Sequence, residues 1–164
     1  MIGTRVTLRL RMSAHDAHYA GEPAAPGTRA VQPAAQFIAA LGSGQPSATG
    51  AAVVIGPTDE VEALAPHLAL LNLIVVEFPK IGEGRGYSQA RMLRQRYRYR
   101  GELRARGALK RDQLFFLARC GFDSFDLDPA ENLEIALGGL DDFSVAYQDG
   151  SDAVVHVQRR ASAT

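Results

Sequence analysis

A chain of 164 residues, 46% hydrophobic and 22% charged with a formal net charge of zero, has the length and make-up of one soluble domain with a core. No apolar run is long enough to cross a bilayer, and the opening stretch MIGTRVTLRLRM lacks the apolar centre of a secretory signal. A single cysteine, Cys120, excludes an internal disulfide and suits the cytoplasm.

Residues 1–50 read as a weakly patterned arm. RVTLRLRM supplies an edge strand. Residues 13–33, rich in Ala, Gly and Pro, read as a loop that buries little. A short helix and a second loop at 42–50 follow. From residue 51 the pattern is regular. AAVVIGP predicts a strand, and TDEVEALAPHLALL a helix capped by Thr58 with acids in its first turn. LIVVEF is a strand and YSQARMLRQRY a helix. GELRAR is a strand and LKRDQLFFLARCG a helix ending at Gly121. SFDL, a helix over 129–143 and the strand SVAY complete a domain over 51–150, with 151–164 a tail. The alternation predicts an α/β fold with a mainly parallel sheet of about five strands. Strands 73–78, 101–106 and 124–127 are expected to be neighbours. Leu103 and Ala105 alternate with Glu102, Arg104 and Arg106, and Phe125 and Leu127 with Ser124 and Asp126. One face of the sheet is therefore partly polar. That suits a partial (β/α) barrel or an open sandwich.

Residues 80–119 hold twelve Lys/Arg against three Asp/Glu, a net +9, and residues 120–152 hold nine Asp/Glu and no base, a net −9. Such a split orients an anionic ligand or a charged partner, unless the two blocks neutralise each other in the fold. The basic block carries no nucleic-acid-binding motif, and no nucleic-acid partner is expected.

The segment FPKIGEGRGYSQARMLRQRY places Gly82, Gly84 and Gly86 between a strand and a helix. The spacing is neither the dinucleotide fingerprint nor a P-loop, since no third glycine stands at 87 and no Gly-Lys-Ser/Thr follows. A loop after a strand's C-terminal end is nevertheless where parallel sheets bind ligands. Lys80, Arg85 and Ser88, the last as cap of the next helix, are candidates to hold a small oxyanion, with Arg104 or Asp112 nearby. The competing reading is a turn whose glycines serve backbone geometry alone. On the helix itself, Ala90, Leu93 and Tyr97 form the burying face, and Arg91, Arg94 and Arg98 a basic one. Cys120, at a helix C-terminus, reads as a small buried residue rather than a nucleophile. No cofactor signature and no metal-ligand set stands out.

The block from Phe78 through Leu127 resembles a bacterial family catalogued as domain of unknown function 934. Its pattern has a strand ending in Phe-Pro-Lys, then Asp-Gly-Arg-Gly-Tyr/Phe-Ser, Gly-Glu-Leu-Arg-Ala, an Asp-Gln-Leu helix and Arg-Cys-Gly-Phe-Asp. The likeness runs from about residue 52 to 148 and departs at Glu83 and Ala108, where the family has Asp. The second change removes a carboxylate from the proposed site edge. Genes of this family usually lie beside those of assimilatory sulfite reductase. The resemblance therefore implies an accessory protein of sulfite reduction that docks on the reductase or binds a sulfur oxyanion. The alternatives are an enzyme acting on such an oxyanion through Arg85, Arg104 and Asp112, and a structural module that forms a homodimer over the polar sheet face.

Overall fold

The structure is a computed structural model, and it describes residues 9–12, 17–19, 28–43 and 49–127. The strands are Arg9–Met12 (β1), Ala17–Tyr19 (β2), Arg29–Pro33 (β3), Ala51–Ile55 (β4), Leu71–Phe78 (β5), Glu102–Gly107 (β6) and Ser124–Leu127 (β7). The α-helices are Ala34–Gly42 (α1), Arg85–Arg91 (α2) and Arg111–Cys120 (α3). The seven described strands pair in parallel in the order β1-β7-β6-β5-β4-β3-β2. The expected neighbours β5, β6 and β7 are adjacent, and RVTLRLRM ends in an edge strand. The expected helix over 129–143, the strand SVAY and the tail at 151–164 lie outside the described residues.

Four elements differ from expectation. Within 13–33, of which 13–16 and 20–27 lie outside the described residues, the described residues include the strands β2 and β3, with Tyr19 and Val31 buried, where the composition of this stretch predicts a loop that buries little. Its short strands gain order only by pairing, β2 with β3 and β3 with β4. The segment after β4 is a 3-10 helix, Val61–Leu70, flanked by Glu60 in extended conformation with no side-chain cap. Thr58 therefore caps nothing. Pro66, inside this helix, has no N–H to give an α-helical ladder. The helix after the glycine loop ends in a π-turn segment, Met92–Arg96, closed by Tyr97 N–H donating to Met92 O at 3.0 Å. That wider winding alters the 3.6-residue register. Ala90 and Leu93 are fully buried, but Tyr97 is only half-buried.

Among the described residues the larger hydrophobic core lies on one face of the sheet. Ala34 and Phe37 of α1, Val61 and Leu64 of the 3-10 helix, Ala90 and Leu93, and Leu114 and Leu117 of α3 pack on Val53, Ile74, Val76, Leu103, Ala105 and Phe125. All the described helices thus cover one face of the sheet. The opposite face carries Tyr19, Val31, Ala52, Leu73 and Val75. By strand alternation it also carries Glu102, Arg104, Arg106, Ser124 and Asp126. The Arg106 guanidinium of β6 lies 3.4 Å from the centre of the Tyr19 ring of β2. Three strands stand between them, which in a flat sheet means a separation of roughly 19 Å. The sheet must therefore curl about this polar face. No ladder joins β1 to β2 among the described residues, so the curl stops short of a closed barrel. The partial barrel is the better of the two expected architectures.

Candidate functional site

The loop after β5 starts its helix earlier than the sequence suggests. α2 begins at Arg85, with Gly84 at the cap position. Ser88 lies one turn inside and caps nothing. The first helical amide, Arg85 N–H, donates to Glu83 Oε1 at 3.2 Å. The favourable end of the helix dipole is thus met by the loop's own carboxylate. The three glycines have separate causes. Gly82 has φ +85°, a turn conformation that side chains disfavour. Gly86 is buried under the Phe78 ring, and a Cβ there would sit 2.5 Å from Cζ. Gly84 has open space around it. Gly86→Ala should therefore destabilise the protein by about 1–3 kcal/mol, while Gly84→Ala stays within about 0.5 kcal/mol of wild type. Chemical denaturation of the two variants distinguishes packing from a shared role in ligand approach, which would make their stabilities alike.

The five candidate residues do not converge. Arg85 lines a cavity of about 560 Å3 together with Asp59, Glu60, Glu62, Ser88 and Gln89. Asp112 lines another of about 380 Å3 between α2 and α3, with Tyr87, Ser88, Arg91, Phe116 and Cys120. Only Ser88 borders both. Lys80 is exposed on the loop and borders neither. Arg104 is on the far face of the sheet, fully buried. Asp112 is exposed in the first turn of α3, where the opening contact comes from Gln113 Oε1 accepting Lys110 N–H at 2.9 Å. Arg85 therefore shares its cavity with three carboxylates, which is an environment for a cation more than for a free oxyanion.

Cavity walls are held by long-range bonds. Gln89 is buried, and its Nε2 donates to Gly56 O at 2.9 Å and to Asp59 O at 3.0 Å. Gly56 N–H in turn donates to Asp59 Oδ2 at 2.7 Å. Gln89 Oε1 is buried without a hydrogen-bond donor. Such an acceptor destabilises by about 1–3 kcal/mol unless a water or ligand supplies the donor.

The curled face holds a polar network of which the sequence offered only Arg104 as a site candidate. Arg104 Nη2 donates to Glu102 Oε1 at 2.8 Å, Arg104 Nε to Ser124 Oγ at 3.3 Å, and Ser124 Oγ to Glu102 Oε1 at 2.7 Å. One rung nearer the strand C-termini, Arg106 Nε lies 3.6 Å from Asp126 Oδ2, beneath the Tyr19 ring. The alternation in GELRAR and SFDL was the signal for this network. Burial pushes the Tyr19 hydroxyl above its usual range, with Arg104 pulling against it. Tyr99 and Tyr87 are raised for the same first reason, desolvation.

These three tyrosines set an alkaline limit. A folded-state pKa above the unfolded one gives stability that is complete below the ordinary tyrosine value, about 10, and is lost as pH climbs toward the folded value. Each ionising tyrosine should remove about 1.4 kcal/mol per pH unit in that window. Phenolate absorbance should lag until the circular dichroism changes. Ionisation of Tyr19, Tyr87 and Tyr99 near pH about 10 with the fold intact would refute this.

A family model described as "Bacterial protein of unknown function (DUF934)" matches residues 52–157. The chain belongs to this family. No curated protein matches it. The DUF934 segment runs from β4 through β7, so it contains both cavities and most of the polar network. Several residues quoted above as the family's pattern have structural work in this member. Asp123 of Arg-Cys-Gly-Phe-Asp accepts Leu103 N–H at 2.8 Å and pairs with Arg94 at 3.0 Å. Gly121 ends α3 in the left-handed region, as the sequence predicts. Among the described residues no three His, Cys, Asp or Glu side chains are grouped to hold a metal ion, and no helix is long and apolar enough to cross a membrane.

Proposed function

We propose that this DUF934 member is a cytoplasmic accessory protein of assimilatory sulfite reduction that docks on the reductase through its basic α2–α3 face. The surface charge carries this reading. Lys80, Arg85, Arg91, Arg96, Arg98, Arg100, Lys110 and Arg111 are all exposed. The acids described within 120–127 are used inside, Asp123 on Arg94 and Asp126 on Arg106. The two large exposed apolar side chains among the described residues, Ile81 at 61% and Phe116 at 59%, lie on the elements that carry these bases. Exposed bases around isolated apolar anchors suit a transient, electrostatically steered contact with an acidic partner. Docking is favoured over capture of a free sulfur oxyanion because Glu83 already meets the α2 amide and Arg85 shares its cavity with carboxylates. The identity of the partner rests on the family's usual gene neighbourhood.

The test is co-purification of the tagged chain from sulfate-grown cells. Sulfite reductase should be retained at low salt and released as ionic strength rises. Reversing Arg91, Arg96 and Arg100 to Glu should weaken retention by about tenfold or more. A reductase that fails to co-purify at low salt, with the chain folded, defeats the proposal. Saturable sulfite binding abolished by Arg85→Ala would restore the oxyanion reading in its place.

A further inference from the structure

We infer that the cavity between α2 and α3 seats one bulky apolar side chain of the acidic partner, from a segment in which Asp or Glu flanks that side chain. The inference rests on the docking reading and names what the partner presents to this face. At about 380 Å3 the cavity is at the small end of the range for binding pockets. Both helices return over parallel strands, so they run side by side in one direction. Residues four apart on each therefore line the gap, Tyr87 and Arg91 on α2, and Asp112, Phe116 and Cys120 on α3. Tyr87, Phe116 and the buried Cys120 make most of the wall apolar. Phe116 is 59% exposed, yet its ring meets Phe115 edge-on with centroids 5.8 Å apart, so it presents a firm surface to an incoming side chain.

Charge selects the occupant. Arg91 lines the cavity, is exposed, and has no hydrogen bond or ion pair among the described residues. Arg85, Lys110 and Arg111 are exposed within about a turn of the lining residues. Against these four bases stands one exposed carboxylate, Asp112, since Glu83 is half-buried and accepts Arg85 N–H. A free apolar molecule would leave the surrounding bases without a counter-charge. A second copy meeting this face by two-fold symmetry would set bases against bases. A segment carrying carboxylates on either side of an apolar residue answers both features. The apolar side chain fills the space between the two rings, and a flanking carboxylate pairs with Arg91 in the two-bond geometry that guanidinium favours. A desolvated anchor inside a charged rim is the arrangement that concentrates binding energy in protein contacts.

Fluorescence anisotropy of a labelled peptide, Gly-Asp-Glu-Phe-Asp-Glu-Gly, titrated with the full chain at low salt, tests the anchor beside the same peptide with alanine in place of phenylalanine. The phenylalanine peptide should bind saturably and the alanine peptide about tenfold more weakly. Phe116→Ser should weaken the first by about tenfold and the second little, whereas Arg91→Gln should weaken both and flatten the salt dependence. Ser88→Leu narrows the cavity from α2 and should act like Phe116→Ser. Ser88 and Phe116 are exposed, so both variants should keep the wild-type melting temperature. The inference is overturned if the phenylalanine peptide fails to bind at millimolar concentration, if the two peptides bind alike, or if the preference survives both Phe116→Ser and Ser88→Leu. A concentration-dependent dimer in sedimentation velocity that Phe116→Ser abolishes also overturns it, by giving the cavity to a second copy. The docking reading fails separately. A reductase that does not co-purify while the peptide preference holds leaves the anchor to another acidic protein, and a reductase retained equally by wild type and Phe116→Ser keeps the docking and removes the anchor.

Discussion

Arg94→Ala should destabilise the protein by about 3–5 kcal/mol, lowering its melting temperature by roughly 10 °C. The guanidinium joins four groups from two stretches of chain, 99–101 and 121–123. Nε donates to Gly121 O at 2.9 Å, Nη1 to Tyr99 O and Gly101 O at 2.8 Å each, and Nη2 pairs with Asp123 Oδ2 at 3.0 Å. The Arg94 side chain is 16% exposed and Asp123 30%, so water replaces these bonds poorly. The clamp fixes the end of α3 and the strand β6 against the π-turn segment. Arg94→Lys should recover only part of the loss, because an ammonium cannot reproduce the planar fork.

The loss should also depend on pH. Burial holds the Asp123 carboxyl above its usual range, while Leu103 N–H and Arg94 pull it down. Removing Arg94 raises it further. A group raised in the folded state contributes stability at low pH that fades as pH climbs through the folded value. The difference between wild type and variant should therefore shrink as the solution is acidified. Urea unfolding of both proteins across the carboxylate range checks this. A loss below about 1 kcal/mol at neutral pH, or one that grows on acidification, would show that the clamp does not hold the fold.

Arg104→Ala should have a comparable effect, about 3–5 kcal/mol. Arg104 is among the largest fully buried side chains, and its loss removes volume and charge together. Glu102, 17% exposed, would keep its charge beside Ser124 without this guanidinium. Arg104→Met separates the two terms, since it restores much of the volume and none of the charge. It should remain at least about 2 kcal/mol less stable than wild type. Equal stability for Arg104→Met would mean that the ion pair on the curled face adds nothing to the fold.

Local pattern settled much of this protein. AAVVI, LIVVEF, GELRAR and SFDL have the apolar runs and period-2 alternation of strands. The intervening helices are long enough that the strands had to run parallel. Gly121 marked the end of α3, and the alternation of Glu102, Arg104 and Arg106 with Leu103 and Ala105 marked the polar face. Each of these is a nearest-neighbour property of the chain, so it can be read without coordinates.

Tertiary structure decided what those residues do. Ser88 looked like a cap, but the helix could start four residues earlier, with Gly84 at the cap, because Gly86 lets α2 seat on Phe78. Arg94 looked like one of three solvated bases, and became a clamp through partners as many as 29 positions away. Arg104 and Arg85 were grouped by position along the chain, yet strand alternation and sheet curvature put them on opposite faces. The acidic cavity depends on Gln89 reaching Gly56, 33 residues distant. β2 and β3 are too short and too rich in Ala, Gly and Pro surroundings to show a period, and they become strands by pairing, β3 against β4 and β2 against β3. Contacts of this separation are selected by packing of the whole sheet and helix layer.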